Sequence, residues 1–135
     1  MKYIKKVEVG DYKFNISVNR EIALKVSEEF PEFITKILDN SNKNNDIATV
    51  IKENRLRELF DINDFINENL SKVVKFALPL LLAEAGEKLD SNKIISYIID
   101  NEVDEVFNIR VWEFILSVFT KGGQDKKPKV KFVMN

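Results

Sequence analysis

The chain has no cysteine and no histidine, and only four glycines, three prolines and one tryptophan among its 135 residues. Without cysteine there is no disulfide framework, a composition compatible with the cytosol. Without histidine or cysteine, the Cys/His zinc sites and every catalytic triad that uses histidine as its base are excluded. The glycines, at positions 10, 86, 122 and 123, fit neither GxxxxGK[ST] nor GxGxxG, so no glycine-rich phosphate loop exists. An excess of one charge is also missing: 21 Lys and Arg oppose 22 Asp and Glu, for a net charge of -1. Such a balance argues against a wholesale polyanion binder. The longest apolar run, Phe76 to Ala83, is well short of the roughly 20 residues that a membrane-spanning helix requires. The opening MKYIKKVEVG lacks the apolar centre of a signal peptide, so neither a membrane segment nor a leader is expected.

What is present fits one globular domain. Hydrophobic residues make up 44% of the chain and charged residues 32%, and a chain of this length can bury roughly two thirds of the surface it exposes when unfolded. The first pattern has period two. In VEVGDYKFNISV a Gly-Asp pair separates two alternating runs, the signature of a tight hairpin over residues 3–18. With Gly10 and Asp11 as the loop, Val9 opposes Tyr12, Val7 opposes Phe14, Lys5 opposes Ile16 and Tyr3 opposes Val18. One side of the ribbon then carries Tyr3, Val7, Val9, Tyr12, Phe14, Ile16 and Val18, with Lys5 discordant, and this side must be covered by helices or by another chain.

After Asn19, a candidate N-cap, the period becomes helical. Ile22, Val26, Phe30, Phe33, Ile34 and Ile37 mark one face of a helix over 20–38, broken by a kink or a restart near Pro31. A polar loop at 39–46 follows. Further helices are expected at 47–59, 64–87, 91–100, capped by Asp90 or Ser91, and 103–120. The fold class is therefore α+β and mostly α: an N-terminal hairpin, a compact bundle of about five helices in a single domain spanning 1–120, and a basic tail at 121–135. That tail is either flexible or a short edge strand. Val130, Phe132 and Met134 alternate with Lys129 and Lys131, a pattern suited to pairing with the hairpin of the same or a neighbouring chain.

Candidate chemistry is sparse. A calcium loop starting at Asp39 would have Asn44 and Val50, and one starting at Asp61 would have Ile66 and Lys72, where an EF-hand needs Gly at about position 6 and Glu at position 12. Asp100, Glu102, Asp104 and Glu105 could hold a hard cation, but acids at a helix N-terminus are accounted for by the helix dipole. Lys121, Lys126, Lys127, Lys129 and Lys131 could contact phosphates without sequence preference; a solubilising end after the Gly122-Gly123 break is the favoured explanation. No catalytic, cofactor-binding or metal-binding residue is assigned, and no enzymatic activity is expected.

The helices say more. Ile66, Leu70, Val73, Val74, Ala77 and Leu81 share one stripe, yet Phe76, Leu80 and Leu82 project off it and Pro79 lies almost opposite. In the last helix, Val103, Val106, Phe107, Phe114 and Val118 form one stripe, and Ile109, Trp112, Leu116 and Phe119 a second on the other side. A small domain can bury both sides of one central helix; two such helices strain its capacity. At least one second stripe is therefore expected to be an intermolecular surface, with Ile109, Trp112, Leu116 and Phe119, and also Phe76 and Leu80, as the candidate oligomer or client contact.

The order of parts is a hairpin VEVGDYKFNISV, a helix directly after it (NREIALKVSEEF), an apolar helix ending LLLAEAG, a short capped helix KLDSNKIISYIID, and a final helix before a Lys-rich tail. It resembles the tail assembly chaperones of tailed bacteriophages and prophages, especially those of Gram-positive hosts. The likeness covers most of the chain and is strongest over 7–30 and 80–120; it departs at the Asn-rich insertion and at Pro79. The resemblance implies a non-enzymatic, self-associating protein in the cytoplasm of a bacterial host. It would bind the tape-measure protein until tail-tube subunits replace it, with no specific nucleic acid and no membrane among its partners. Two other classes compete: a small nucleic-acid-associated regulator using the Lys tail, and a structural or adaptor subunit of the finished tail. Acids at Asp100, Glu102, Asp104 and Glu105 count against the first, because a DNA-reading element there would usually be basic.

Overall fold

A computed structural model describes residues 2–32, 34–35, 47–53, 55–59, 69–121 and 129–134 of the chain. The alternating runs form strands β1 (Lys2–Val9) and β2 (Tyr12–Asn19), antiparallel in the expected register, with Val9 opposite Tyr12, Val7 opposite Phe14, Lys5 opposite Ile16 and Tyr3 opposite Val18. Gly10 has φ 58° and Asp11 no positive φ, the type II′ pattern that matches the twist of the flanking strands. Glycine is required there twice over, because a Cβ at position 10 would also run into the Tyr97 side chain. A third strand, β3 (Lys129–Met134), lies parallel to the other edge of β1, giving the order β2-β1-β3. Val130, Phe132 and Met134 thus pair with Lys5, Val7 and Val9 of their own chain.

The sheet leads into helices without a connecting loop. The Asn19 side chain accepts the Ile22 N–H at 2.8 Å and starts α1 (Arg20–Glu29). The helix stops at Phe30, where Pro31 disfavours helical geometry, and helical residues resume at 31–32 and 34–35. The remainder of the expected helix to 38, and the loop at 39–46, lie outside the described residues. The single helix expected at 47–59 is corrected to two pieces, α2 (Ile47–Lys52) and a 3-10 turn at Leu56–Leu59. The cause is distant in sequence: the Leu56 N–H leaves the helical ladder and donates to the Glu113 carboxylate at 3.0 Å.

The described part of the expected 64–87 helix is α3 (Asn69–Glu84), with Pro79 inside it; residues 60–68 are not described. Its end falls three residues earlier than expected because Gly86, at φ 79°, closes it. The Gly86 N–H bonds to the Ala83 carbonyl and the Glu87 N–H to the Leu82 carbonyl, the paired bonds of a Schellman cap. Then come α4 (Ser91–Asp100), whose Asp90 cap accepts the Asn92 N–H at 2.9 Å, and α5 (Asp104–Lys121). Glu102, at φ 56°, occupies the left-handed position between them. The fold is accordingly α+β and mostly α, a hairpin followed by five helices.

The core lies between one face of the sheet and the helices. Tyr3, Val7, Val9, Phe14, Ile16 and Val18 are buried; α3 crosses β2, and α5 packs against α1, α2, α3, α4 and β2. The discordant Lys5 is buried too, its ammonium 5.6 Å from the centroid of the Phe114 ring. A cation facing an aromatic π-cloud explains how a lysine is accommodated on an apolar face. No described helix is long and apolar enough to cross a membrane.

Candidate interaction surface

The two apolar helices behave differently. Every residue from Val111 to Val118 is buried, so this stretch of α5 is enclosed on all sides, while Val106 nearer its start is 50% exposed. Trp112 is 0% exposed, Ile109 4% and Leu116 8%. The expectation that these three line an oligomer or client contact is therefore corrected: they fill the chain's own interior, because α1, α2 and α3 surround the side of α5 that a helical wheel leaves open. Two polar groups run through this interior without being stranded. Glu113 accepts the Leu56 N–H and is paired with Arg110 at 2.8 Å, and the Ser117 hydroxyl donates to the Phe114 carbonyl at 2.6 Å. A buried carboxylate held by a guanidinium and a backbone N–H is neutralised in place, which gives it a structural role.

Helix α3 is two-sided. Val73, Val74, Ala77, Leu78, Leu81 and Leu82 are buried, whereas Phe76 and Leu80 are half-buried and Pro79 is exposed. What half-covers Phe76 is Phe30, at the break before Pro31. The two rings meet edge to face at 5.8 Å, and Phe30 in turn meets Trp112 at 6.3 Å. Phe30 therefore joins two of the expected contact residues, one at the surface and one in the core. Leu80, one turn on from Phe76 along α3, is half-buried as well, so Phe30, Phe76 and Leu80 form an aromatic and aliphatic strip that stays partly open among the described residues. Phe30 was readable only as one member of the α1 stripe; its ring contacts with α3 and α5 had no sequence signal.

Phe119, 37% exposed, is the member of the α5 set that reaches the surface. The Arg20 guanidinium lies 5.6 Å from its ring, and Leu24, one turn further along α1, is 43% exposed.

Among the described residues no three Asp or Glu side chains come together in a way that could hold a metal ion. Asp100 and Glu102 are exposed, with Asp104 and Glu105 half-buried, around the α4–α5 corner. Arg55 is bonded to both Glu58 and Glu53; its guanidinium pKa is raised, first by the Glu58 hydrogen bond, and the Glu58 carboxyl is held below its ordinary value by the same bond. At the outer edge of β2, the Glu87 carboxylate accepts the Asn15 N–H at 2.5 Å, and the Asn19 amide donates to Glu84 at 3.3 Å. Neither acid was singled out by the sequence pattern, since the link depends on the α3 cap bringing 84–87 beside β2.

No protein-family model, curated protein or solved structure matches the chain.

Proposed function

We propose that this protein is a tail assembly chaperone of a tailed bacteriophage or prophage. In this reading it works without catalysis in the cytoplasm of the bacterial host. It self-associates and keeps a tape-measure protein soluble until tail-tube subunits take its place. The order of parts carries the reading: a hairpin fused to a capped helix, an apolar helix closed at Gly86, a short Asp-capped helix and a long final helix. The half-open strip of Phe30, Phe76 and Leu80 supports it physically. A long, helical, aggregation-prone client needs a partner that offers apolar surface reversibly, and half-buried aromatic rings supply area at low entropic cost.

Co-expression with the longest coiled-coil-rich protein encoded nearby, followed by size-exclusion chromatography with light scattering, tests the proposal. The expected outcome is a soluble complex heavier than either component. A client that stays insoluble, or elutes apart from this chain, overturns the reading. Recovery of the protein in purified virions would instead make it a structural or adaptor subunit.

A further inference from the structure

The two edges of the sheet are not alike. With Val9 and Tyr12 flanking the two-residue loop, the alternation of hydrogen-bonded pairs turns the Asn15 N–H away from β1, toward the open side of β2. Glu87 already holds that N–H. A carboxylate on the middle donor of an edge strand obstructs the approach of another strand and serves as one of the devices that prevent sheet extension. The outer edge of β1 is treated differently: it is filled by β3, in parallel register from Ile4 opposite Lys129 to Val9 opposite Met134.

The attachment of β3 is limited. Its described packing is against β1, and no helix makes a comparable contact with it. Parallel pairing is slightly weaker per residue than antiparallel. Seven residues, 122–128, separate it from α5; they include Gly122 and Gly123 and can span about 25 Å. Detaching β3 would therefore break one ladder and leave the packing of α5 with its helices and β2 in place. The seat it vacates, the edge of β1, fits this same segment in any copy of the chain, since an exchanged strand remakes identical bonds.

We propose that β3 is an exchangeable strand, and that the β1 edge of one copy accepts residues 129–134 of a second copy. This deepens the self-association in the function proposed above and rests on it. Reciprocal exchange would close a two-fold dimer, and one-way exchange would build a ring or an open chain. Within one chain the tether favours self-pairing at low concentration; copies held side by side on a long client would face each other at the high local concentration that favours exchange.

The absence of native cysteine makes the test direct. Lys6, exposed on β1, stands opposite Lys131 on β3. One full-length chain carries Lys6→Cys alone and another Lys131→Cys alone; the two are mixed and oxidised without any client. Exchange predicts a covalent species of about twice the 15.7 kDa chain mass. Its yield should exceed that from mixing Lys6→Cys with Lys72→Cys, an exposed control on α3, by at least about tenfold, reflecting the effective concentration within a seated strand. The double variant Lys6→Cys/Lys131→Cys reports the intrachain seat. The inference is overturned if the double variant closes within one chain while the single variants never join. It is equally overturned if no cross-link forms in any sample, or if the Lys72 control joins as readily. Because no client is present, failure here and failure of client binding are read separately.

Discussion

Among the described residues, helices α3 and α5 each carry large hydrophobic side chains on more than one side. Yet α5 is sealed along Val111–Val118, while α3 leaves Phe76 and Leu80 half open and Pro79 in solvent. The difference lies in position. Helix α5 has α1, α2, α3, α4 and β2 around it, whereas α3, packed against β2, α5, α4 and the end of α1, keeps part of one side open among the described residues. An all-round apolar helix thus marks either the centre of a domain or a wall with an outer surface, and neighbours decide which.

Substitutions can break this contrast or sharpen it. The largest effect is expected at Trp112, where truncation to Ala removes a fully buried indole in contact with Phe30 and should cost about 3–5 kcal/mol. A cooperative loss of α-helical circular dichroism at much lower urea would register it, and Trp112→Asp should unfold the chain outright. If either variant stayed folded but lost self-association, α5 would be a surface after all. Next comes Glu113→Gln, which keeps the shape but removes the charge shared with Arg110 and weakens the acceptor of the Leu56 N–H. A loss of about 1–3 kcal/mol is expected, with the earliest amide exchange in the 55–59 turn.

On the other helix, Phe76→Ala gives up an edge-to-face pair and part of a half-buried ring, so its cost should be only about 1–2 kcal/mol. Its diagnostic outcome is functional: loss of co-elution with the client at unchanged helicity. A stability loss as large as that at Trp112 would erase the distinction between the two helices. The smallest effect belongs to the exposed Arg55–Glu58 pair beside the buried Glu113 contact. Glu58 is depressed in the folded state, so its contribution is present above the ordinary glutamate range and disappears as pH falls through the depressed value. Arg55→Gln should therefore lower the urea midpoint slightly at neutral pH and leave it unchanged in strong acid, as titrated denaturation curves would show.

How much was legible from sequence follows the range of the interactions. The hairpin register followed from alternation around Gly10-Asp11, the cap at Asn19 from residue type at a change of period, and the second cap was narrowed to Asp90 or Ser91, of which the structure uses Asp90. These are local effects acting over a few residues. The break after Lys52 was not legible, because the carboxylate that captures Leu56 comes from position 113. The fate of Trp112 was hidden for a related reason: a helical wheel shows which side chains share a side, not what is packed against it. Lys5 stood out as discordant, but only the fold places the Phe114 ring beside it.

Asn19 closes β2 and caps α1 in the same residue. A junction of zero length has no slack, so the direction of the hairpin fixes the axis of the first helix as the arm of a bracket fixes its shelf. Its side-chain amide also reaches Glu84 near the end of α3, tying a third element to the same corner. Force applied along the hairpin would be handed to α1 and α3 together, without first being absorbed by a loop.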